Sequence, residues 1–154
     1  MAHVNDHEQV ARLLFYPQMV DADGTPKPNI FPTDELTALK GKKGVSVDRC
    51  ELLGDPARLL RQKADEIANP AAERIPWGYC IGKAEQIRLI AIADNESQQA
   101  FKICPDAVVS ARTPRPWDLA HAIVVKFDNS CTRAQMRGVR DKLMQAFSCK
   151  TKFR

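Results

Sequence analysis

Arg133, Arg137 and Arg140 recur at intervals of four and three residues near the end of the chain. On a helix that spacing stacks three guanidinium groups along one ridge. Planar guanidinium forks hold carboxylates and phosphates through paired N–H donors, which a lysine point charge cannot do. The chemistry offered is recognition of an acidic surface. Lys150, Lys152 and Arg154 continue the basic run. From Arg133 to Arg154, seven Lys or Arg stand against one acid, Asp141, a local charge of +6 on a chain of net charge +4. The remainder therefore carries −2. A charged end on a near-neutral body is a docking place for an acidic protein or a nucleic-acid backbone. Aromatic residues make up only 6% of the chain, which argues against a stacking platform for single strands and for salt-dependent electrostatic contact. The plainer reading of the ridge is a solvated helix face, with basic residues near the C-terminus favoured by the helix dipole.

A second group could do acid–base chemistry. His121 follows Asp118 by three residues, and a histidine beside an acid can serve as a general base. In an alternating strand His121 shares a side with Ile123 and Val125, which instead predicts a buried histidine satisfied by one hydrogen bond. Ser46 and Asp48 share one strand face and Arg49 takes the other. A pocket gathering Ser46, Arg49 and His121 would make the chain a small enzyme acting on a nucleotide or RNA. No GxSxG elbow supports a serine nucleophile. His3 and His7 are four apart and would flank a metal only on a helix, at a terminus that frays. Gly41-Lys-Lys-Gly44 lacks the spacing of a phosphate-binding loop, and Asp21-Ala-Asp-Gly24 lacks the later ligands of a calcium loop. No cofactor or metal motif emerges.

The elements that must position these residues follow from pattern. Arg133 to Phe147 is a helix capped by Ser130 or Thr132, with Met136, Val139, Leu143, Ala146 and Phe147 as its core stripe and the arginines beside it. Pro56 to Ala68 is the clearest helix, with Asp55 at the N-cap, Pro56 at the first position and Asn69-Pro70 beyond its end. Val45 to Arg49 and Ala120 to Phe127 are strands, and Tyr79 to Ala84 and Ile87 to Ala93 are read as further strands. The N-terminal segment is a short helix or turn running into a strand that ends at Pro17. Asp21 to Gly24 is a turn, Thr33 to Leu36 a single helical turn, Ile75 to Gly78 a bend, and Asp128 to Ser130 a turn. Val108 to Ala111 is extended and Thr113 to Trp117 a rigid loop. This order predicts a single α+β domain, residues 1–147, with a mixed, mainly antiparallel sheet and two principal helices on one of its faces, followed by a flexible basic tail, residues 148–154.

A length of 154 residues suits one core, and 44% apolar with 27% charged residues is ordinary for a soluble globular protein. Five widely spaced cysteines without a CxxC read as free thiols in a reducing compartment, and no signal-like or membrane-length apolar run is present, so a cytoplasmic location is expected. Phe31-Pro-Thr33, Gly44-Val-Ser-Val-Asp-Arg49 and Asp118-Leu-Ala-His-Ala-Ile123, with a basic helix behind them, together resemble a loose group of small bacterial proteins of no established activity. The resemblance implies that the two strands carrying these motifs belong to one scaffold, and it transfers no catalytic residue. The function expected is that of a non-enzymatic accessory protein binding an acidic partner through Arg133, Arg137, Arg140, Lys150, Lys152 and Arg154.

Overall fold

A computed structural model of the chain describes residues 3–37, 43–92, 95–108, 114–127 and 131–154. The turns read at residues 41–42 and 128–130, and the stretch 109–113, lie outside them. Six strands form one antiparallel sheet: β1 (Gln9–Pro17), β2 (Val45–Arg49), β3 (Arg74–Lys83), β6 (Phe101–Pro105), β7 (His121–Lys126) and β8 (Cys149–Lys152). Their order across the sheet is β6-β7-β2-β1-β3-β8. Two short strands, β4 (Ala91–Ile92) and β5 (Asn95–Gln99), pair separately. The helices are α1 (Thr33–Leu36), α2 (Pro56–Ile67), α3 (Ala84–Arg88) and α4 (Arg133–Ala146). The fold is a single α+β domain, and no helix among the described residues is long and apolar enough to cross a membrane.

The two principal helices do not share a face of the sheet. Met136, Val139, Leu143 and Phe147 of α4 pack with Val10, Leu14, Val45, Val47, Ala122 and Val124. Leu59, Leu60 and Ala64 of α2 pack with Ala11, Leu13, Phe15 and Tyr79. Strand β1 alternates between the two sets, so it is buried on both sides, and this corrects the expectation of helices on one face. A strand covered on both faces loses the apolar–polar alternation from which a one-sided sheet is read.

Local signals account for most boundaries. The Asp55 side chain accepts from the Arg58 amide at the start of α2. At the start of α4, the Thr132 hydroxyl accepts from the Gln135 amide at 3.1 Å and the Gln135 side chain accepts from the Thr132 amide at 2.9 Å, a reciprocal cap. Two expectations fail. Ile75 to Gly78 is no bend but part of β3, because Pro76 sits where β1 shifts register between Leu14 and Phe15 and beyond the reach of β8, so its missing N–H breaks no ladder bond on that side. The run from Ile87 to Ile92 is divided between α3 and β4, and Ala84 and Ile87 bury one side of a short helix while Glu85 and Gln86 face outward.

The segment after residue 147 is not a loose tail. Cys149–Lys152 pairs with Ile81–Gly78 as the outer strand β8. Gly78 makes the pairing possible, since a Cβ there would run into the Thr151 carbonyl oxygen.

Candidate functional site

The ridge predicted from the arginine spacing lines one wall of a groove of about 390 Å³. Arg133, Arg137 and Arg140 form this wall, Thr33, Asp34 and Thr37 of the α1 segment the other, and Met136 and Cys131 also line the groove. Arg133 and Arg137 are exposed, and among the described residues neither has an acidic partner. Arg140 is more enclosed and pairs loosely with Asp141 at 3.3 Å. Among the described residues Asp34 is the one acid lining the groove, so these walls carry an excess of positive charge. Beneath, Lys126 is only 4% exposed, and its Nζ lies 2.9 Å from Cys131 Sγ.

The remaining basic residues are not gathered there. Lys150 Nζ donates to the Gly24 carbonyl at 2.6 Å and lines a different groove, beside the C-terminal half of α4. Lys152 lies exposed on β8, and the Arg154 carbonyl accepts from Arg61 of α2 at 3.4 Å, towards the opposite face. Sequence placed six cations in one run, and folding collects three of them.

The catalytic alternative is rearranged more strongly. Arg49 is 4% exposed and forms a two-point pair with Glu8, Nε to Oε1 and Nη2 to Oε2, both 2.8 Å. It also donates to the His3 carbonyl at 3.2 Å. The Arg49 guanidinium holds the Glu8 carboxyl below its ordinary value of 4.5, against the opposing effect of burial. Arg49 is therefore a structural cation on the face away from His121, as strand alternation requires, and it does not line the cleft that His121 lines. His3 and His7 do not converge on a metal: the first neighbours Arg88 and the second Glu51. Among the described residues, no cluster of three His, Cys, Asp or Glu is placed to hold an ion.

Ser46 and His121 do share a cleft, of about 520 Å³, where β1 and β2 part. The two strands pair only at Val10↔Arg49 and Ala11↔Asp48. Past that point Arg12 fills the fork, with Nε donating to the Ile30 carbonyl and Nη1 to the Ser46 carbonyl, each at 3.0 Å. Burial lowers the Arg12 pKa, Arg74 adds to that effect, and Glu35 opposes it. Lys63 from α2 grips both oxygens of the buried Asp48, at 2.7 and 2.9 Å.

His121 is not sealed in the core. Its side chain is 16% exposed, and Nδ1 lies 2.8 Å from the Asp106 carbonyl and 3.1 Å from the Asp106 carboxylate. In the neutral ring, a proton on Nδ1 satisfies both oxygens and leaves Nε2 as an acceptor on the edge away from Asp106. Among the described residues no hydrogen bond joins Ser46 to His121, so the serine is not activated as a nucleophile. The carboxylate beside His121 Nδ1 belongs to Asp106. Asp118, the acid suggested by spacing, accepts instead from the Arg115 amide at 2.7 Å.

Sequence reasoning missed Arg12, Lys63, Arg74 and Asp106. Arg12 left a usable signal, a cation inside the apolar run Val10-Ala-Arg-Leu-Leu-Phe15, where an unpaired charge is costly. The others are brought in by tertiary contacts that no local spacing records. No family model, curated protein or solved structure matches the chain, so its function must be read from these side chains.

Proposed function

We propose that the chain is a non-enzymatic binding protein that docks an acidic macromolecular surface, an acidic protein segment or a nucleic-acid backbone, in the groove between α4 and α1. The observation that carries this reading is the lining of one groove by Arg133, Arg137 and Arg140, two of them without an acidic partner among the described residues. Their carrier is rigid: α4 is capped at Thr132 and buried along Met136, Val139 and Leu143. Guanidinium groups held on a fixed helix lose less freedom on binding than groups on a mobile tail. Thr33 adds a hydroxyl to the facing wall, while the Thr37 hydroxyl is spent on the Thr33 carbonyl and Asp34 limits how closely a polyanion approaches that side.

The test is direct. Arg133, Arg137 and Arg140 are replaced together by glutamate, and circular dichroism checks that the fold survives. Fluorescence anisotropy at low salt then follows a labelled duplex RNA and a labelled polyglutamate. The reading expects the wild-type protein to bind at least one probe and the variant to lose at least tenfold in affinity. Wild-type protein that binds neither, or a variant that binds as well, would defeat it. The catalytic alternative is weaker here because Arg49 is withdrawn from the cleft and Ser46 is not bonded to His121.

A further inference from the structure

We infer that the cleft in the fork between β1 and β2 is a second, independent site, and that its ligand is a nucleoside monophosphate. The first support is Arg12. It is 9% exposed, and its two hydrogen bonds, to Ile30 and Ser46, engage Nε and Nη1 alone. Among the described residues no buried side-chain nitrogen or oxygen lacks a partner, so Nη2, which has no such bond, keeps some exposure, and Arg12 lines the cleft. A nearly buried guanidinium with an N–H edge facing a cavity is a prepared anion contact. Arg74 lines the same cleft, with its guanidinium stacked 4.5 Å over the Phe15 ring. Arg74 is near enough to disfavour the Arg12 charge, while Glu35, which lines the same cleft, favours it, and two guanidinium groups against that one carboxylate suit an anion such as a phosphate monoester.

The second support is the layout along β1. Asp48 pairs with Ala11 and His121 with Asp48, so His121 lies level with Ala11 and two strands across from it. Arg74 stands over Phe15, four residues further on, roughly 13 Å away at about 3.3 Å per strand residue. Arg12 lies between. The Arg74 end is therefore cationic. The other end offers His121 Nε2 and the largely buried Asp118 carboxylate, whose Oδ2 already accepts from the Arg115 amide, beside the partly buried Trp117 ring. A ligand that matches carries its anion at one end and a planar group with N–H or O–H donors at the other, which describes a mononucleotide. The volume lies within the range of about 300–1,000 Å³ usual for small-ligand sites.

Trp77 and Trp117 are the only tryptophans, which gives the assay. In a Trp77→Phe background the remaining emission reports on Trp117. Adenosine, guanosine, cytidine and uridine 5′-monophosphates are titrated separately, and inorganic phosphate is added as a competitor. At least one nucleotide should quench Trp117 saturably in the micromolar to low-millimolar range, and phosphate should reverse the quench. Arg74→Ala, a surface change, should weaken binding at least tenfold, whereas Arg137→Glu should leave it unchanged. Because that last variant alters only the arginine groove, the two sites succeed or fail separately. Phosphate competition on the protein with Arg74 intact keeps the test valid if Arg74→Ala does not fold. No saturable quench by any of the four nucleotides, equal binding of the free nucleoside, or no effect of phosphate would overturn the inference.

Discussion

Replacing Arg49 by methionine separates a structural cation from a catalytic one. Arg49 and Glu8 are 4% and 1% exposed and meet through two 2.8 Å bonds. Removing the guanidinium leaves a buried carboxylate with only the Asn5 amide as a remaining neutral donor, at 2.7 Å. Breaking a buried pair from one side costs about 3–5 kcal/mol. Protonating Glu8 is the escape, and its cost at neutral pH bounds the charge part. Moving about 2.5 pH units above the ordinary value of 4.5 costs about 1.4 kcal/mol per unit, or about 3.4 kcal/mol. That is a large share of a total stability on the order of 5–15 kcal/mol.

The pH dependence has a definite sign. In the wild-type protein the Glu8 pKa is depressed, so its contribution is present above 4.5 and is lost as pH falls through the lower folded value. In the variant the folded carboxyl is raised above its unfolded value, so its penalty shrinks as pH falls towards 4.5. Urea denaturation between about pH 7 and about pH 5 should show a gap of about 3 kcal/mol narrowing to about 1 kcal/mol. Glu8→Gln combined with Arg49→Met should recover much of the loss, because no buried charge is then left unpaired. A single-variant cost below about 1 kcal/mol at neutral pH, with no pH dependence, would refute the reasoning.

Further outcomes follow from other contacts. Thr132→Ala removes the α4 cap and should cost about 1 kcal/mol in urea denaturation. It should also weaken binding in the arginine groove, since the first arginine lies in the turn that frays. Gly78→Ala should expel β8, seen as faster amide exchange across 149–152 with little change in the central strands. Iodoacetamide at about pH 8 should label exposed Cys149 first. It should spare Cys50 and Cys80, whose thiols burial pushes up to about 11 and about 12, until the protein is unfolded.

Elements with local punctuation were legible in the sequence. Asp55-Pro56 opened α2, the Thr132 cap opened α4, and the alternation of Val45 and Val47 marked β2. The arginine ridge was legible because helical spacing alone decides which residues share a side. The two-sided burial of β1 was not, because a strand between two helices carries no alternation. The pairing of β8 is not legible either, because Cys149–Lys152 is polar and exposed and depends on Gly78, some seventy positions earlier. The structural role of Arg49 is hidden in the sequence, which cannot show that its partner is Glu8, just before the neighbouring strand. The cleft depends on where β1 and β2 part, a matter of register that no single segment encodes.

The central claim is that three arginines act together on one acidic surface. The salt dependence of binding to a B-form DNA duplex, used as a regular polyanion probe, tests it most directly. Each phosphate contact contributes about −0.9 to the slope of log affinity against log salt, so three arginines predict a slope of about −2.7. Arg137→Gln should reduce its magnitude by about 0.9 while leaving the circular dichroism spectrum unchanged. A slope near zero in the wild-type protein, or one that Arg137→Gln leaves unaltered, would contradict the account.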